Sequence, residues 1–248
     1  MNTDSNKYVF LYITILVLIV AVVLSLFSIK LQPLQKANTD IEKMYQILTA
    51  ANYKNISKEN VINQYEKLTT EIIINNDGNV VSVYYFKNNA DEVRAFNLSV
   101  AEEYQKAFDG KTDYILPVFA VKNPDNSITN VIPVAGKGLW GPIWGYVAIA
   151  SDGNTITGAI FDHKSETPGL GGEISTEKFA SMFEGKMLFN NKGEYVAVKL
   201  VKGGILNSNI DPKHGVDAIS GGTITSQGIE KMIHDCLKLY IPYINNKL

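Results

Sequence analysis

Tyr8 to Ile29 is a run of 22 residues without a charged side chain, rich in Leu, Val and Ile. As a helix it measures roughly 33 Å, enough to cross the hydrocarbon core of a bilayer. A cleaved signal peptide is the rival reading, but its apolar stretch is roughly 7–15 residues long and closes on an Ala-x-Ala-like site. This run closes on Ser25-Leu26-Phe27-Ser28-Ile29. The expectation is therefore an uncleaved single-pass anchor, with Tyr8 and Tyr12 suited to an interfacial level. Lys7 precedes the helix while Lys30, Lys36 and Lys43 follow it. A charge count alone thus leaves the large C-terminal part in the cytoplasm, although long domains obey that count poorly.

The remaining residues are ample for a packed core. The chain has 248 residues, 46% of them apolar and 19% charged, which suits one sizeable domain or two small ones. Its 23 Lys and Arg against 25 Asp and Glu give a net charge of −2. The broad positive field of a nucleic-acid binder is missing, so DNA and RNA are not expected as partners. The single cysteine, Cys236, excludes an internal disulfide and a Cys-ligated cluster.

Past the anchor, Thr39-Asp40-Ile41-Glu42 fits a capping box, and Ile41, Met44, Tyr45 and Leu48 recur at helical spacing, predicting a separate helix from Thr39 to Ala51. A short helix over Ser57–Lys67 leads into Glu71–Ile74, an Asn75-Asn76-Asp77-Gly78 turn and Val80–Phe86, which reads as a hairpin. Tyr114–Val121, Ser127–Ala135, Ile143–Ala150, Thr155–Phe161 and Tyr195–Val201 are rich in β-branched and aromatic residues and read as strands. Helices are expected near Ala101–Phe108 and Ser175–Phe183, and the apolar positions from Ile229 to Tyr240 mark a terminal helix beginning at about Ser226. The fold class is α+β: one transmembrane helix, then a mostly antiparallel sheet with flanking helices. The organisation is a tail at 1–7, the anchor at 8–29, a helical stalk and hairpin region at 30–90, and a main domain at 91–248.

Common motifs fail on context. Gly136-Lys137-Gly138-Leu139-Trp140-Gly141 has the spacing of a dinucleotide fingerprint, but Pro142 and a strand-like run follow where a helix must open. A tight glycine turn between strands is the better reading. No Gly-Lys-Ser/Thr closes a phosphate loop, and Ser220 lacks the leading glycine of a nucleophile elbow. His163, His214 and His234 are scattered without zinc-site spacing.

Two stretches are left. Ser165-Glu166-Thr167-Pro168-Gly169-Leu170-Gly171-Gly172-Glu173 is a loop whose glycines let backbone approach a flat ligand, though an ordinary flexible loop has the same composition. Asp217-Ala218-Ile219-Ser220-Gly221-Gly222-Thr223-Ile224-Thr225-Ser226 stands before the terminal helix. Its hydroxyls suit helix capping, with Thr225 or Ser226 as acceptor; its amides and glycines equally suit a phosphate, with a hydroxyl nearby to be esterified.

Together with Gly138-Leu139-Trp140 and Val201-Lys202-Gly203-Gly204, in that chain order, these stretches resemble the FMN-binding domain found in the C subunit of the sodium-translocating NADH:quinone oxidoreductases. The resemblance covers nearly the whole chain. In that family a flavin transferase joins the phosphate of FMN to a threonine in the pattern Asp-x-x-Ser/Thr-Gly-Ala-Thr. Asp217 to Thr223 carries this pattern with Gly222 in the place of alanine, so the resemblance implies covalent FMN on Thr223 rather than Thr225. It further implies that Leu139, Trp140, Glu166, Thr167, Gly169 and Leu170 line the flavin, with Lys202 near its ring or phosphate and Ser220, Gly221 and Gly222 around the attachment. Trp140 has an equal alternative as a core aromatic.

The implied role is electron transfer from NADH toward quinone, coupled to sodium translocation, with FMN carrying the redox chemistry and no catalytic side chain or metal required. Implied partners are an iron–sulfur-bearing pair of membrane subunits, a second covalent-flavin subunit and, during maturation, the transferase. The resemblance also implies an inner-membrane protein with a periplasmic domain, against the lysine count. Two other readings stay open at this level: the flavin-bearing G subunit of a ferredoxin:NAD oxidoreductase, and an anchored sensor with a noncovalent ligand in the glycine loop.

Overall fold

The structure is a computed structural model that describes residues 6–86 and 93–247. It divides into two compact units, Met1–Lys43 and Met44–Leu248. The expected tail falls partly outside the described residues, as does the expected boundary between 90 and 91.

Helix α1 runs unbroken over Asn6–Ala50, with Pro33 inside it. No separate helix starts at Thr39, contrary to the capping-box reading. The Thr39 hydroxyl donates to the Gln35 carbonyl at 2.9 Å, so it serves the turn behind it instead of capping a turn ahead. The apolar part of α1 is long enough to cross a membrane, and none of it is buried against the described protein. Phe10 is 73% exposed and Ile29 65%, which in water would leave a large apolar surface uncovered. Lipid is the solvent such a surface fits.

The second unit is built on a six-stranded sheet. After α2 (Val61–Leu68) come β1 (Thr69–Asn75), β2 (Val80–Tyr84), helix α3 (Val100–Phe108), then β3 (Ile115–Lys122), β4 (Ile128–Lys137), β5 (Pro142–Ile149) and β6 (Ile156–His163). The strand order is β2-β1-β3-β4-β5-β6, and every pairing is antiparallel. The α+β, antiparallel expectation therefore holds. Alternate residues serve two cores, as the pleat requires. Ile72, Val118, Ile132, Val134 and Val147 join the C-terminal helix on one face. Ile73, Phe119, Val131, Tyr146 and Ala148 meet Ile47, Leu48 and Tyr65 on the other. With both faces covered, the strands read as near-continuous apolar runs.

The chain then passes through α4 (Glu177–Ser181) to two short parallel strands, β7 (Lys199–Val201) and β8 (Gly215–Asp217). The expected strand over Tyr195–Val201 shrinks to its last three residues. Ala197 adopts φ 54, and both Val196 and Ala197 donate to the Leu188 carbonyl, so the segment bends before it can pair. Helix α5 spans Thr223–Lys238, three residues earlier than its apolar periodicity predicts, and α6 (Ile241–Lys247) closes the described chain.

Candidate functional site

The parallel pairing of β7 with β8 puts Val201 opposite Asp217, so the residues just beyond both strands emerge together. The Ala218 amide donates to the Val201 carbonyl at 3.0 Å. After β7 the chain turns through Gly203 and Gly204 at φ +84 and +91, a region closed to most side chains. The Asp217 carboxylate accepts from the Ile205 amide at 2.7 Å and holds that turn over the end of β8. These segments and the start of α5 line a cleft of about 540 Å³ that includes Lys202, Ser220, Gly221, Thr223 and Gln227. Such a volume is ordinary for a small-molecule site.

The floor of the cleft is a turn from Ile219 to Gly222, closed by the Gly222 amide on the Ile219 carbonyl at 3.1 Å. Gly221 sits at φ +73, and a Cβ there would come within 2.6 Å of Leu170 Cδ2. The turn thus approaches the 165–173 loop more closely than another residue permits. Gly222 is the N-cap of α5 and makes no side-chain cap bond, leaving the first-turn amides available. The expected caps do other work. Ser226 Oγ accepts from the Ile219 amide at 3.0 Å, tying the helix back to the turn. The Thr225 hydroxyl donates to Glu166 Oε2 at 2.6 Å and is buried. Thr223, the first residue of the helix, is exposed and lines the cleft.

A second layer joins the loop to the β4–β5 hairpin. That hairpin tip is a glycine turn, with the Gly138 amide on the Gly141 carbonyl at 2.8 Å, as its sequence context indicated. Glu166 is only 4% exposed, and its Oε1 accepts the Trp140 amide at 2.8 Å. Its carboxylate is therefore turned into the protein. Leu139, Trp140 and Leu170 point the other way, at 46%, 65% and 43% exposure. Trp140 is not a core aromatic. Thr167 and Gly169 are exposed on the same loop, Gly169 at φ +75.

The structure thus gathers Lys202, Ser220, Gly221 and Thr223 at one cleft and links Glu166 to Trp140 and the helix start. Sequence reasoning missed Asp217 as a loop tie and Thr225 as the partner of Glu166. An earlier helix start, at Thr223, would have been the signal for Thr225, since residues two apart on a helix face different ways. His163 Nδ1 accepts the Glu166 amide at 3.1 Å, His214 Nδ1 lies 2.8 Å from the Met187 carbonyl and His234 Nδ1 2.9 Å from Asp235. Among the described residues no cluster of His, Cys, Asp or Glu could hold a metal ion.

The donor set suits a phosphate-bearing ligand: open amides at a helix N-terminus, glycine backbone, a lysine and a hydroxyl at one cleft. Residues 138–238 match the FMN-binding domain family, which makes this a protein with an FMN-binding domain. The C subunit of the Na(+)-translocating NADH-quinone reductase of Vibrio vulnificus is 31% identical over 237 residues, covering 92% of this chain and 89% of that one. The crystal structure of the corresponding protein from Parabacteroides distasonis superposes with a TM-score of 0.72 at 36% identity, covering 86% of this chain and 96% of that one. That of Shewanella oneidensis NqrC gives 0.69 at 28%, covering 85% and 98%. This chain belongs to the NqrC family, the C subunits of the Na(+)-translocating NADH-quinone reductases.

Proposed function

We propose that this chain carries FMN as a phosphoester on Thr223 and relays electrons within a sodium-translocating NADH:quinone oxidoreductase. The observation that carries this reading is the contrast between two threonines on one helical turn. Thr223 opens onto the cleft, while the Thr225 hydroxyl is buried on a carboxylate. Only the former is accessible to a modifying enzyme. The open amides of α5 favour the negative charge of that phosphodiester by hydrogen bonding and by the helix dipole. Lys202 adds a cation at the same cleft.

The exposed Leu139, Trp140 and Leu170 offer apolar surface for a flavin ring, with Thr167 and Gly169 beside them. Ser220, Gly221 and Gly222 shape the backbone under the attachment. Bound FMN supplies the redox chemistry, while the protein's part is to hold it, set its surroundings and fix its distance to neighbouring carriers. A covalent tether suits a compartment without free FMN, so we place the domain in the periplasm, anchored to the inner membrane by α1. The donor is an iron–sulfur centre of the membrane subunits and the acceptor a second covalent flavin on a neighbouring protein of the complex. A periplasmic flavin transferase installs the cofactor.

The test is coexpression of the full chain with a flavin transferase, followed by intact-mass and peptide mapping. Wild type should gain one FMN phosphoester on the peptide containing Thr223 and keep flavin fluorescence after denaturation. Thr223→Ala should stay colourless, and Thr225→Ser should still be modified at 223. An unmodified wild-type protein under these conditions overturns the reading.

A further inference from the structure

Glu166 lies behind the cleft, buried between three segments. One oxygen of its buried carboxylate accepts the Trp140 amide at 2.8 Å and the other accepts the Thr225 hydroxyl at 2.6 Å. Three segments remote in sequence meet at this one group: the β4–β5 hairpin tip, the loop after β6 and the first turn of α5. The space for it is made by two glycines. A Cβ at Gly138 would lie 2.5 Å from Oε1, and a Cβ at Gly171 would lie 2.6 Å from Oε2 and 2.4 Å from Thr225 Oγ1. The loop is itself fixed on either side of the carboxylate. The Glu166 amide donates to His163 Nδ1 at 3.1 Å, and the Ser165 hydroxyl donates to the Trp140 carbonyl at 3.1 Å. Both polar backbone atoms of Trp140 are thus held by the loop.

We propose that Glu166 and Thr225 form a positioning clasp that sets the distance between the Trp140 hairpin and the Thr223 end of α5. The proposal rests on the reading of Thr223 as the FMN attachment. A cofactor tethered through its phosphate is fixed at one end only, and its ring is placed by whatever fixes the surface it rests on relative to the tether. The clasp does this with two charge-assisted hydrogen bonds in a site shielded from water, where such bonds gain most. Neither residue needs to touch the flavin, so both are positioning residues.

The experiment compares wild type with Thr225→Val, Thr225→Ser and Gly171→Ala, all as full-length chains in detergent. Thr225→Val removes the donor at nearly constant shape, Thr225→Ser restores it, and Gly171→Ala wedges the same contact without deleting a polar group. The first readout uses flavin-free protein. Hydrogen exchange at the Trp140 amide should accelerate at least fivefold in Thr225→Val and Gly171→Ala and stay within twofold of wild type in Thr225→Ser. This result decides the clasp whether or not Thr223 carries flavin. The second readout uses flavin-loaded protein, in which the redox equilibrium with a reference dye should shift at least threefold in the first two variants and be restored in Thr225→Ser. Wild-type exchange at Trp140 in Thr225→Val and Gly171→Ala overturns the proposal. So does an unchanged dye equilibrium in both. Should Thr225→Val not fold, the Gly171→Ala and Thr225→Ser pair carries the same comparison.

Discussion

Arg94, the only arginine in the chain, donates through Nη2 to the buried Glu71 carboxylate at 2.7 Å. The other oxygen of Glu71 accepts the Phe96 amide at 3.0 Å, and the guanidinium lies 5.0 Å from the ring centroids of Tyr84 and Phe86 and 5.3 Å from that of Phe96. Strand β1 is thereby joined to the short helix after residue 94 by a charge pair packed among aromatic rings. Deleting one partner strands the other charge in a buried site, which typically costs about 3–5 kcal/mol. Arg94→Met should therefore lower unfolding stability by about 3 kcal/mol in urea titration. Arg94→Lys should recover only part of the loss, because an ammonium cannot stack on three rings as a planar guanidinium does. Equal stability of Arg94→Met and wild type would show that the pair contributes nothing.

Cys236 is fully buried on α5, its thiol 3.4 Å from the Ala135 carbonyl. Burial, the largest influence, pushes the thiol from 9.0 up to about 12. Native protein at pH 8 should react with iodoacetamide at least tenfold more slowly than protein in guanidinium, since the thiolate is the reactive form. The same shift has a stability consequence with a definite sign. Between about 9 and 12 the native state keeps a proton that the unfolded chain has lost, so this contribution is complete below pH 9 and declines as pH rises toward 12. Cys236→Ala should flatten that part of the stability profile measured by denaturant titration.

Under the proposed attachment at Thr223, Gly222 stands where the pattern has alanine, and its surroundings leave little room for a methyl group. A Cβ there would lie 2.9 Å from Ile219 Cγ2 and 3.3 Å from the Gly171 Cα, at an ordinary backbone angle of φ −109. The obstacle is steric and local. Gly222→Ala should destabilise by about 1 kcal/mol through overpacking. Adding Ile219→Ala should remove that increment, so the double variant should lose less than the sum of the single losses in thermal denaturation. Strict additivity would show that Ile219 is not what excludes the methyl group.

Thr39 faces the turn behind it, its hydroxyl on the Gln35 carbonyl. A true N-cap replaced by alanine costs about 1 kcal/mol. Here Thr39→Ala should change stability by less than about 0.5 kcal/mol and leave the helical circular dichroism unchanged, because alanine is the better interior helix former. A drop of the size expected for a cap would restore the separate helix that the capping box suggested.

Local sequence signals lose their force where a longer element overrides them. Thr39-Asp40-Ile41-Glu42 has the right residues for a start, yet α1 passes through it, because a helix already propagating needs no new nucleus. The strands β3 to β6 were legible since each is a run of branched and aromatic residues bounded by turn formers. Strand β7 was legible only as the end of a longer expected strand and β8 not at all, because three residues carry no period and their pairing is set by a partner distant in sequence. At the site, the order of Lys202, Ser220 and Thr223 could be read from motifs, but their meeting at one cleft depends on that same short ladder. The inward turn of Glu166 was hidden for a similar reason. A glutamate in a glycine-rich loop looks solvent-facing until Gly138 and Gly171 are seen to leave room for it.

The pairing of β7 with β8 also separates two kinds of evolutionary freedom. Lys199 to Val201 and Gly215 to Asp217 are locked side by side in parallel, so the segment between them leaves beside Asp217 and returns beside Lys199, at the opposite end of the ladder. Residues inserted or removed among 206–211 would alter this crossover and not the ladder, so Val201 stays beside Asp217 while the connecting segment varies. That crossover carries Leu206, whose side chain is 93% exposed. Relatives of this chain can thus vary this exposed segment without disturbing the ladder that brings Lys202 and Ser220 to one cleft.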